Sequence, residues 1–284
     1  MSHSRITPEA LEGSAAFTAG PRMLAVMSGK GGVGKSIIAH NLAIAAGRSG
    51  QRALLVDLDW RMGNQHILTN ISPHSNVADV IQLRAALGDA VITIRDNVSV
   101  LCSASAGENC EWPSRVELAQ FLQDCRKPSS QYDLIILDTP SGAIEQMLAA
   151  PAVADDVALV VNPELTAISD TYGLYKWLLQ SEPNLSASLL INRAENSDEA
   201  TDIAERFSLL TKKFLERKPY ALGYLQEDKA VRNAIARQRS VFDFTPQPAI
   251  AAQFTRLAGR AVTTFSSRTG AQRMSRMSAE FNLK

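Results

Sequence analysis

The residues with the clearest chemical potential lie in one glycine-rich stretch near the start of the chain. Residues 28–36 read SGKGGVGKS and fit the pattern G-x-x-x-x-G-K-S/T. In such a loop the backbone N–H groups surround the phosphates of a nucleotide, and the glycines let the backbone approach the phosphate oxygens closely. The pattern therefore predicts nucleotide contacts from Gly29, Lys30, Gly31, Gly32, Val33, Gly34, Lys35 and Ser36.

Acidic residues at two strand ends complete the predicted site. We expect the Lys35 ammonium to lie between the β- and γ-phosphates and the Ser36 hydroxyl to ligate Mg²⁺. Asp138 closes a buried apolar run, where a carboxylate can hold Mg²⁺ through water; the alternative is a turn or capping residue. Asp57 and Asp59 close another run, and alternate residues of a strand face the same side. The predicted metal residues at this point are Ser36 and Asp138, and both Asp57 and Asp59 can point at the same site.

Short apolar runs that alternate with helical patterns supply the scaffold for these residues. Continuous apolar strands separated by helices predict an α/β protein, a three-layer P-loop NTPase fold with a mainly parallel twisted sheet flanked by helices. We expect strands over 23–27, 52–57, 98–101, 133–138, 157–161 and 187–191, and helices over 37–46, 77–87, 114–125, 166–180, 198–215, 228–237 and 249–265.

Composition describes one ordinary domain. Among the 284 residues, 29 Lys and Arg balance 29 Asp and Glu, so no overall basic charge indicates nucleic acid. The three cysteines have no metal-binding spacing, which favours reduced thiols in a cytosol. No apolar run is long enough for a transmembrane helix. We expect a flexible segment over 1–21, a P-loop nucleotide-binding domain over 22–266 and a flexible or weakly amphipathic tail over 267–284.

Lys30 identifies a resemblance, because an ordinary loop of this kind needs no cation directly after its first glycine. Residues 28–36 resemble the deviant Walker A motif of the MinD/ParA family of ATPases. The resemblance implies the cofactors ATP and Mg²⁺, a homodimer when ATP is bound, and a Lys30 that reaches the partner's ATP; a solvated lysine is the alternative. It also implies that Asp57 supports the metal shell and that Asp59 orients the attacking water. The implied catalytic residues are Lys30, Lys35 and Asp59.

The base pocket rests on the same resemblance. Asn192 matches a family position that hydrogen-bonds adenine, and Arg193 follows it. Residues 223–228 resemble the family's Ile-Pro-Glu-Asp segment beside the base, with Gln226 where proline is usual. The predicted base contacts are therefore Asn192, Arg193, Gln226 and Asp228. The alternative is an ordinary strand end and a helix N-cap at Asp228.

Residues 162–176 favour one branch of the family. They resemble the Pro-Glu-x-Thr-x-Ile-x-Asp-x-Tyr-x-x-Lys stretch of the MinD-like flagellar-number regulators, the FlhG, FleN or YlxH proteins. The resemblance implies a slow Mg-dependent ATPase, coupled to dimerisation, that controls flagellar number or placement through a protein partner. Three alternatives stay open: a ParA-type DNA-positioning ATPase, a CpaE-like pilus ATPase, and a non-hydrolysing nucleotide-dependent scaffold. The neutral composition makes nucleic acid an unfavoured partner.

Two departures from the flagellar pattern, in residues 1–21 and in the tail, count against the flagellar prediction, and a third departure, from the wider family, affects the loop after Asp59. Residues 1–21 lack the Asp-Gln-Ala motif of that group, and Trp60 and Arg61 stand where relatives carry small or aliphatic residues. The tail is basic and only weakly amphipathic, so it fits either a solvated end or weak binding to anionic lipid. We expect a cytoplasmic protein that is peripheral on the inner face of the membrane if the tail binds. The tail residues concerned are Arg268, Arg273, Met274, Arg276, Met277, Phe281 and Lys284.

Overall fold

One sheet runs through the part of the chain that the computed structural model describes, which is residues 20–60, 62–103, 111–127 and 131–261. Within these ranges eight strands pair in the order β3-β4-β2-β5-β1-β6-β7-β8, and every pair is parallel except β3–β4. The strands are β1 (Arg22–Met27), β2 (Ala53–Asp57), β3 (Ile92–Arg95), β4 (Val98–Leu101), β5 (Leu134–Asp138), β6 (Asp156–Val161), β7 (Ala187–Ala194) and β8 (Tyr220–Gln226).

Helices flank this sheet, which confirms the predicted fold class. Helix α1 follows the glycine-rich loop directly and is buried along most of its length. The helices are α1 (Lys35–Arg48), α2 (Gln65–Thr69), α3 (Val77–Ile81), α4 (Leu87–Ala90), α5 (Arg115–Cys125), α6 (Ala149–Val153), α7 (Leu165–Ser181), α8 (Ser197–Leu215), α9 (Lys229–Ala236) and α10 (249–261), with 3₁₀ turns at Glu145–Leu148 and Val241–Asp243.

The central strands are buried on both faces, which explains their unbroken apolar character. Every residue of β2, β4, β5 and β6 is buried. Parallel strands need helical crossovers on both faces of the sheet, so each side chain has an apolar neighbour above or below. The predicted strands at these positions are confirmed to within a residue or two.

The edges of the sheet and one helix differ from the prediction. The predicted helix over 77–87 is wrong: α3 and α4 are separate, because Leu83 adopts a left-handed φ of 58° that no helix accommodates. Strands β3 and β8 were not predicted. Both lie at sheet edges and keep several exposed or half-buried residues, so they lack the continuous apolar run that reveals a central strand.

The strand register gathers the predicted acidic residues at one edge. Asp57 pairs with Asp138 across β2 and β5, and Val26 pairs with Asp138 across β1 and β5. The glycine-rich loop leaves β1 at this same edge and enters α1.

Several predictions concern residues outside the described ranges. These are the predicted N-terminal segment apart from its last two residues, Arg61, Cys110, residues 262–265 of the helix predicted over 249–265, and the tail over 267–284. Within the described residues, no helix combines the length and apolarity that crossing a bilayer requires.

Candidate nucleotide and metal site

The glycine-rich loop carries the backbone geometry that an anion site needs. Gly32 and Gly34 have φ values of 76° and 98°, in the region that glycine tolerates best. Gly34 is also the N-cap of α1, and no side chain caps this helix end. The first N–H groups of α1 therefore have no side-chain cap, and a helix N-terminus of this kind favours a negative group.

Close packing fixes the loop against its neighbours. A Cβ on Gly29 would lie 2.1 Å from the carbonyl oxygen of Asp170 in α7, and one on Gly34 would lie 2.6 Å from Nδ2 of Asn192. The Ser28 hydroxyl donates to the carbonyl of Lys30 at 2.7 Å. The backbone contact with Asp170 requires glycine at position 29, and the φ of 98° favours glycine at position 34, even before a nucleotide is considered.

Lys35 is a buried cation held by hydroxyl groups. Its Nζ donates to Oγ of Ser28 at 3.0 Å and to Oγ of Ser141 at 2.7 Å. Burial lowers the pKa of Lys35, and the charges of Asp138 and Asp59 partly oppose that shift. The direct hydrogen-bond partners of this ammonium are neutral hydroxyls, so it can form charge-assisted hydrogen bonds with phosphate oxygens.

Asp57 and Asp138 form a pair of fully buried carboxyl groups. Burial raises the pKa of Asp57 to about 7, and the charge of Asp138 adds to the effect. Burial also raises the pKa of Asp138 to about 6, against hydrogen bonds from the side chains of Gln65 and Ser36. Two buried carboxylates at one edge lack a cation of equal charge, so a divalent ion would favour their ionised forms.

An unsatisfied oxygen tests whether Mg²⁺ fits this place. Oδ1 of Asp138 is buried and accepts no hydrogen bond from the described residues. Mg²⁺ prefers oxygen ligands and commonly uses one or two carboxylates together with water and substrate phosphates. The Ser36 hydroxyl and the Asp138 carboxylate supply such oxygens, so the residues present fit the ion. Within the described part of the chain, no group of three or more His, Cys, Asp or Glu could hold a metal by itself.

The loop between β2 and α2, described at residues 58–60 and 62–64, bonds to Asp57 through its backbone. The Asp57 carboxylate accepts backbone hydrogen bonds from Asp59 at 3.0 Å, Asn64 at 3.0 Å and Gln65 at 3.1 Å. Asp59 is half-buried, and its Oδ1 accepts from the backbone of Met62 at 3.1 Å. The loop thus holds Asp59 at the same edge of the sheet as Lys35, whose pKa responds to the Asp59 charge.

Trp60 lies in the core. Its side chain is 5% exposed and stacks on Trp112, with ring centroids 6.1 Å apart. The departure from the family pattern at this position is therefore accommodated by packing against Trp112, in the segment that precedes α5, and the neighbouring Asp59 keeps its backbone contacts.

The four predicted base residues line one cavity beside the loop. The cavity has a volume of about 160 Å³, and Gly34, Ile37 and Phe254 form part of its wall. Asn192 donates to the carbonyl of Val33 at 2.7 Å, which ties the end of β7 to the glycine-rich loop. The predicted residues that line the cavity are Asn192, Arg193, Gln226 and Asp228.

Asp228 and Gln226, like Asn192, also have structural partners. The Asp228 carboxylate accepts from the backbone of Ala230 at 2.8 Å and caps α9, as the alternative reading of this residue expected. The Gln226 amide donates to the carbonyl of Glu195 at 2.7 Å. Their contact with a base stays a prediction.

Lys30 does not join the group around Lys35. Its Nζ donates to Oε2 of Glu164 at 2.6 Å and to Oγ1 of Thr166 at 2.9 Å, at the first turn of α7. The side chain is 36% exposed. Lys30 therefore lies at the protein surface next to the phosphate loop, bonded to α7.

Three polar contacts of the site were not predicted from the sequence. Gln65, fully buried, donates through Nε2 to Asp138, and Ser28 and Ser141 hold Lys35. Ser28 precedes the loop and Ser141 lies in the turn after β5, so both were near recognised motifs. Gln65 belongs to none of the motifs recognised in the sequence.

Comparison with known proteins agrees with this geometry. A model of the CobQ/CobB/MinD/ParA nucleotide binding domain matches residues 24–241. The antiactivator FleN of Pseudomonas aeruginosa is 30% identical over 84% of this chain and 85% of its own length. The flagellum site-determining protein YlxH of Helicobacter pylori is 24% identical over 85% of this chain and 82% of its own length.

Solved structures give the same relationship. The cell division ATPase MinD of Pyrococcus furiosus superposes with a TM-score of 0.72 and 26% identity, covering 84% of this chain and 97% of that one. The septum site-determining protein MinD of Pyrococcus horikoshii, solved with Mg-ADP, gives a TM-score of 0.70 and 25% identity, covering 84% of this chain and 94% of that one.

Proposed function

Because the chain belongs to the CobQ/CobB/MinD/ParA nucleotide-binding family, we propose that it is a slow Mg-dependent ATPase whose ATP-bound form is a homodimer. Members of the MinD/ParA branch are ATPases. ATP binding joins two copies in this account, and hydrolysis separates them. The protein acts as a switch that positions another structure in the cell.

The observation that carries the proposal is the place of Lys30. A lysine bonded to Glu164 at the surface does not serve the phosphates of its own loop. A large apolar side chain is exposed next to this ion pair: Leu165, which follows Glu164 and begins α7, is 83% exposed. Apolar surface next to a displaceable cation suits contact with a second copy of the chain.

Each site residue has a proposed role. Lys35 and the loop amides stabilise charge on the γ-phosphate, and Asp59 orients the attacking water. Ser36 and Asp138 hold Mg²⁺ with support from Asp57, and Lys30 of the partner copy adds positive charge in the transition state. Such a cation contributes ~10³–10⁵ in rate when it comes from a second protein, so hydrolysis depends on dimerisation. The phosphate contacts are Gly29, Gly31, Gly32, Val33 and Gly34, and the base contacts are Asn192, Arg193, Gln226 and Asp228.

We propose flagellar number or placement as the process controlled, through a regulatory protein partner. The similarity to FleN and to YlxH supports this assignment. Deleting the gene and counting flagella per cell tests it. A changed number or position of flagella supports the proposal. Normal flagella together with altered pili or chromosome segregation would instead favour the function of another branch of the family.

In this proposal the tail determines whether the protein binds to the membrane. Residues 267–284 contain four Lys and Arg residues and one Glu, so an ATP dimer would present two basic segments to an anionic lipid surface. Co-sedimentation with vesicles that contain anionic lipid is expected with ATP and absent with ADP. Equal negative results with both nucleotides would leave a purely cytoplasmic protein.

Sizing the protein with ATP, ADP and no nucleotide tests the switch itself. Asp59→Ala should slow hydrolysis and trap an ATP dimer, while ADP should leave a monomer. A monomer under all three conditions would contradict the proposed ATP-dependent dimer. Phosphate release that is equally at background in the native protein and in Asp59→Ala would favour a non-hydrolysing scaffold.

A further inference from the structure

Gln65 contacts every residue proposed to hold the metal. It is the first residue of α2 and is completely buried. Its backbone N–H donates to Oδ2 of Asp57 at 3.1 Å. Its side-chain Nε2 donates to Oδ2 of Asp138 at 2.8 Å and to the backbone carbonyl of Ser36 at 3.0 Å.

Two amide groups of Gln65 thus serve two buried acids: the backbone N–H bonds Asp57, and the side-chain Nε2 bonds Asp138. A hydrogen bond to an ionised carboxylate is worth more than one between neutral groups, and a buried carboxylate without donors is costly. Because Nε2 holds Oδ2 of Asp138, the orientation of that carboxyl group is fixed. Its Oδ1 then remains the oxygen without a hydrogen bond from the described residues.

Gln65 also joins parts of the site that are distant in sequence. Asp138 lies 73 positions and Ser36 lies 29 positions from Gln65. One side chain thus connects the start of α1, the end of β5 and the β2–α2 loop that carries Asp59. A movement of this loop that displaced Gln65 would release the carboxylate of Asp138.

We infer that Gln65 is a positioning residue for Mg²⁺: it presents Oδ1 of Asp138 and the Ser36 segment to the ion and couples metal binding to the β2–α2 loop. The inference rests on the proposed nucleotide and metal function. It adds a residue that the glycine-rich motif and the acidic strand ends do not include. Gln65 touches the ligands and not the ion, so it acts through them.

Calorimetric titration of the full chain with ADP, in excess Mg²⁺ and in EDTA, tests the inference. The ratio of the two dissociation constants measures how much Mg²⁺ strengthens binding. Gln65→Leu keeps the backbone N–H to Asp57 and removes the side-chain bonds to Asp138 and Ser36. Changes to residues that orient metal ligands typically cost 10–100-fold in metal affinity, so we expect this ratio to fall by about tenfold or more. The affinity in EDTA should stay close to the native value.

A matched control separates positioning from loss of structure. Gln238 donates through Nε2 to the carbonyl of Ile67 in the same helix α2, at 3.0 Å, and is exposed. Gln238→Leu makes the same chemical change away from the carboxylates and should keep the native ratio. Gln65→Asn replaces Gln65→Leu in the experiment if the latter fails to fold. Its side chain is one methylene shorter and still polar, so it should also lower the ratio.

The outcomes distinguish this inference from the proposed function. A native ratio in Gln65→Leu or Gln65→Asn would overturn the role of Gln65 and leave the ATPase proposal intact. A fall of equal size in Gln238→Leu would also overturn it, because any loosening of α2 would then suffice. If the native protein bound no ADP, or bound it equally with and without Mg²⁺, the nucleotide and metal site itself would be wrong.

Discussion

The Lys30 ammonium and the Glu164 carboxylate form an ion pair with an N–O distance of 2.6 Å, across 134 positions of the chain. Lys30 holds the pKa of the Glu164 carboxyl below its usual range. Both side chains are substantially exposed, and exposed pairs contribute little to stability. Lys30 can therefore leave Glu164 at low cost when a better anion, such as a nucleotide on a second copy, comes within reach.

Glu164→Gln should strengthen ATP-dependent dimerisation. The variant loses the carboxylate that competes for Lys30. A larger fraction of the molecules therefore has a Lys30 ammonium available to bind the nucleotide of a second copy. We expect a several-fold lower dimer dissociation constant with ATP, measured by sedimentation velocity in the Asp59→Ala background. The unfolding temperature should not change.

Glu182→Gln is the control for this change. Glu182 pairs with Arg115 at 3.0 Å, and the Arg115 side chain is 43% exposed, so a surface pair is again removed. Its dimer dissociation constant should match that of the parent. An equal shift in both variants would show that general surface charge is responsible and that Glu164 has no special role.

Gly29→Ala should destabilise the fold much more than Gly31→Ala. A Cβ at position 29 would lie 2.1 Å from the Asp170 carbonyl oxygen, so α7 would have to move. We expect a loss of about 2 kcal/mol or more in the free energy of unfolding, as for other overpacked sites. At position 31 the nearest atom is Oγ of Ser141 at 3.7 Å, and the expected change is within about 0.5 kcal/mol. Urea unfolding without nucleotide measures both, and similar losses would refute the close contact with α7.

Asp138→Asn should stabilise the nucleotide-free protein at high pH. Because burial raises the folded-state pKa of Asp138 above that of an unfolded carboxyl group, the cost of ionising it lowers the free energy of unfolding as the pH rises through the raised pKa. The unfolding temperature of the variant, relative to the native protein, should therefore increase between pH 5 and pH 8. Asp133→Asn is the control, since Arg52 lowers the pKa of Asp133 and its contribution is constant over this range. A flat difference for Asp138→Asn would contradict the assigned environment.

Trp60→Ala should cost about 3 kcal/mol or more in the free energy of unfolding, because a large buried aromatic side chain leaves a cavity. Trp60→Phe should cost less. It keeps an aromatic ring against Trp112 and removes an indole Nε1 that is buried without a hydrogen-bond partner among the described residues. Urea unfolding of the two variants checks the order. Equal losses would mean that stacking on Trp112 does not fix this loop.

The sequence predicts the parts of this protein that depend on local pattern. Strands β2 and β5 are continuous apolar runs that end in Asp57 and Asp138, and a parallel sheet brings such ends together. The glycine-rich motif likewise predicts a loop that precedes α1. Each of these features needs only neighbouring residues to be recognised.

Other features arise from contacts between distant residues and leave no local pattern. Gln65 begins a five-residue helix, and its buried side chain bonds to Asp138, which lies 73 positions later in the chain. The Lys30 partner, Glu164, is equally remote. Leu83, just after α3, adopts a left-handed conformation that the residue type leucine does not predict. Such features depend on the assembled fold.

Mixing two inactive variants tests the central claim most directly, namely that Lys30 of one copy acts on the nucleotide of the other. Lys30→Ala retains Asp59 in its own site and needs a lysine from its partner, while Asp59→Ala can supply that lysine. Alone, each variant should hydrolyse ATP at background. Phosphate release by the equimolar mixture should rise well above the sum of the two separate rates. A mixture that stays at that sum, under conditions where sedimentation shows mixed dimers, would contradict the account.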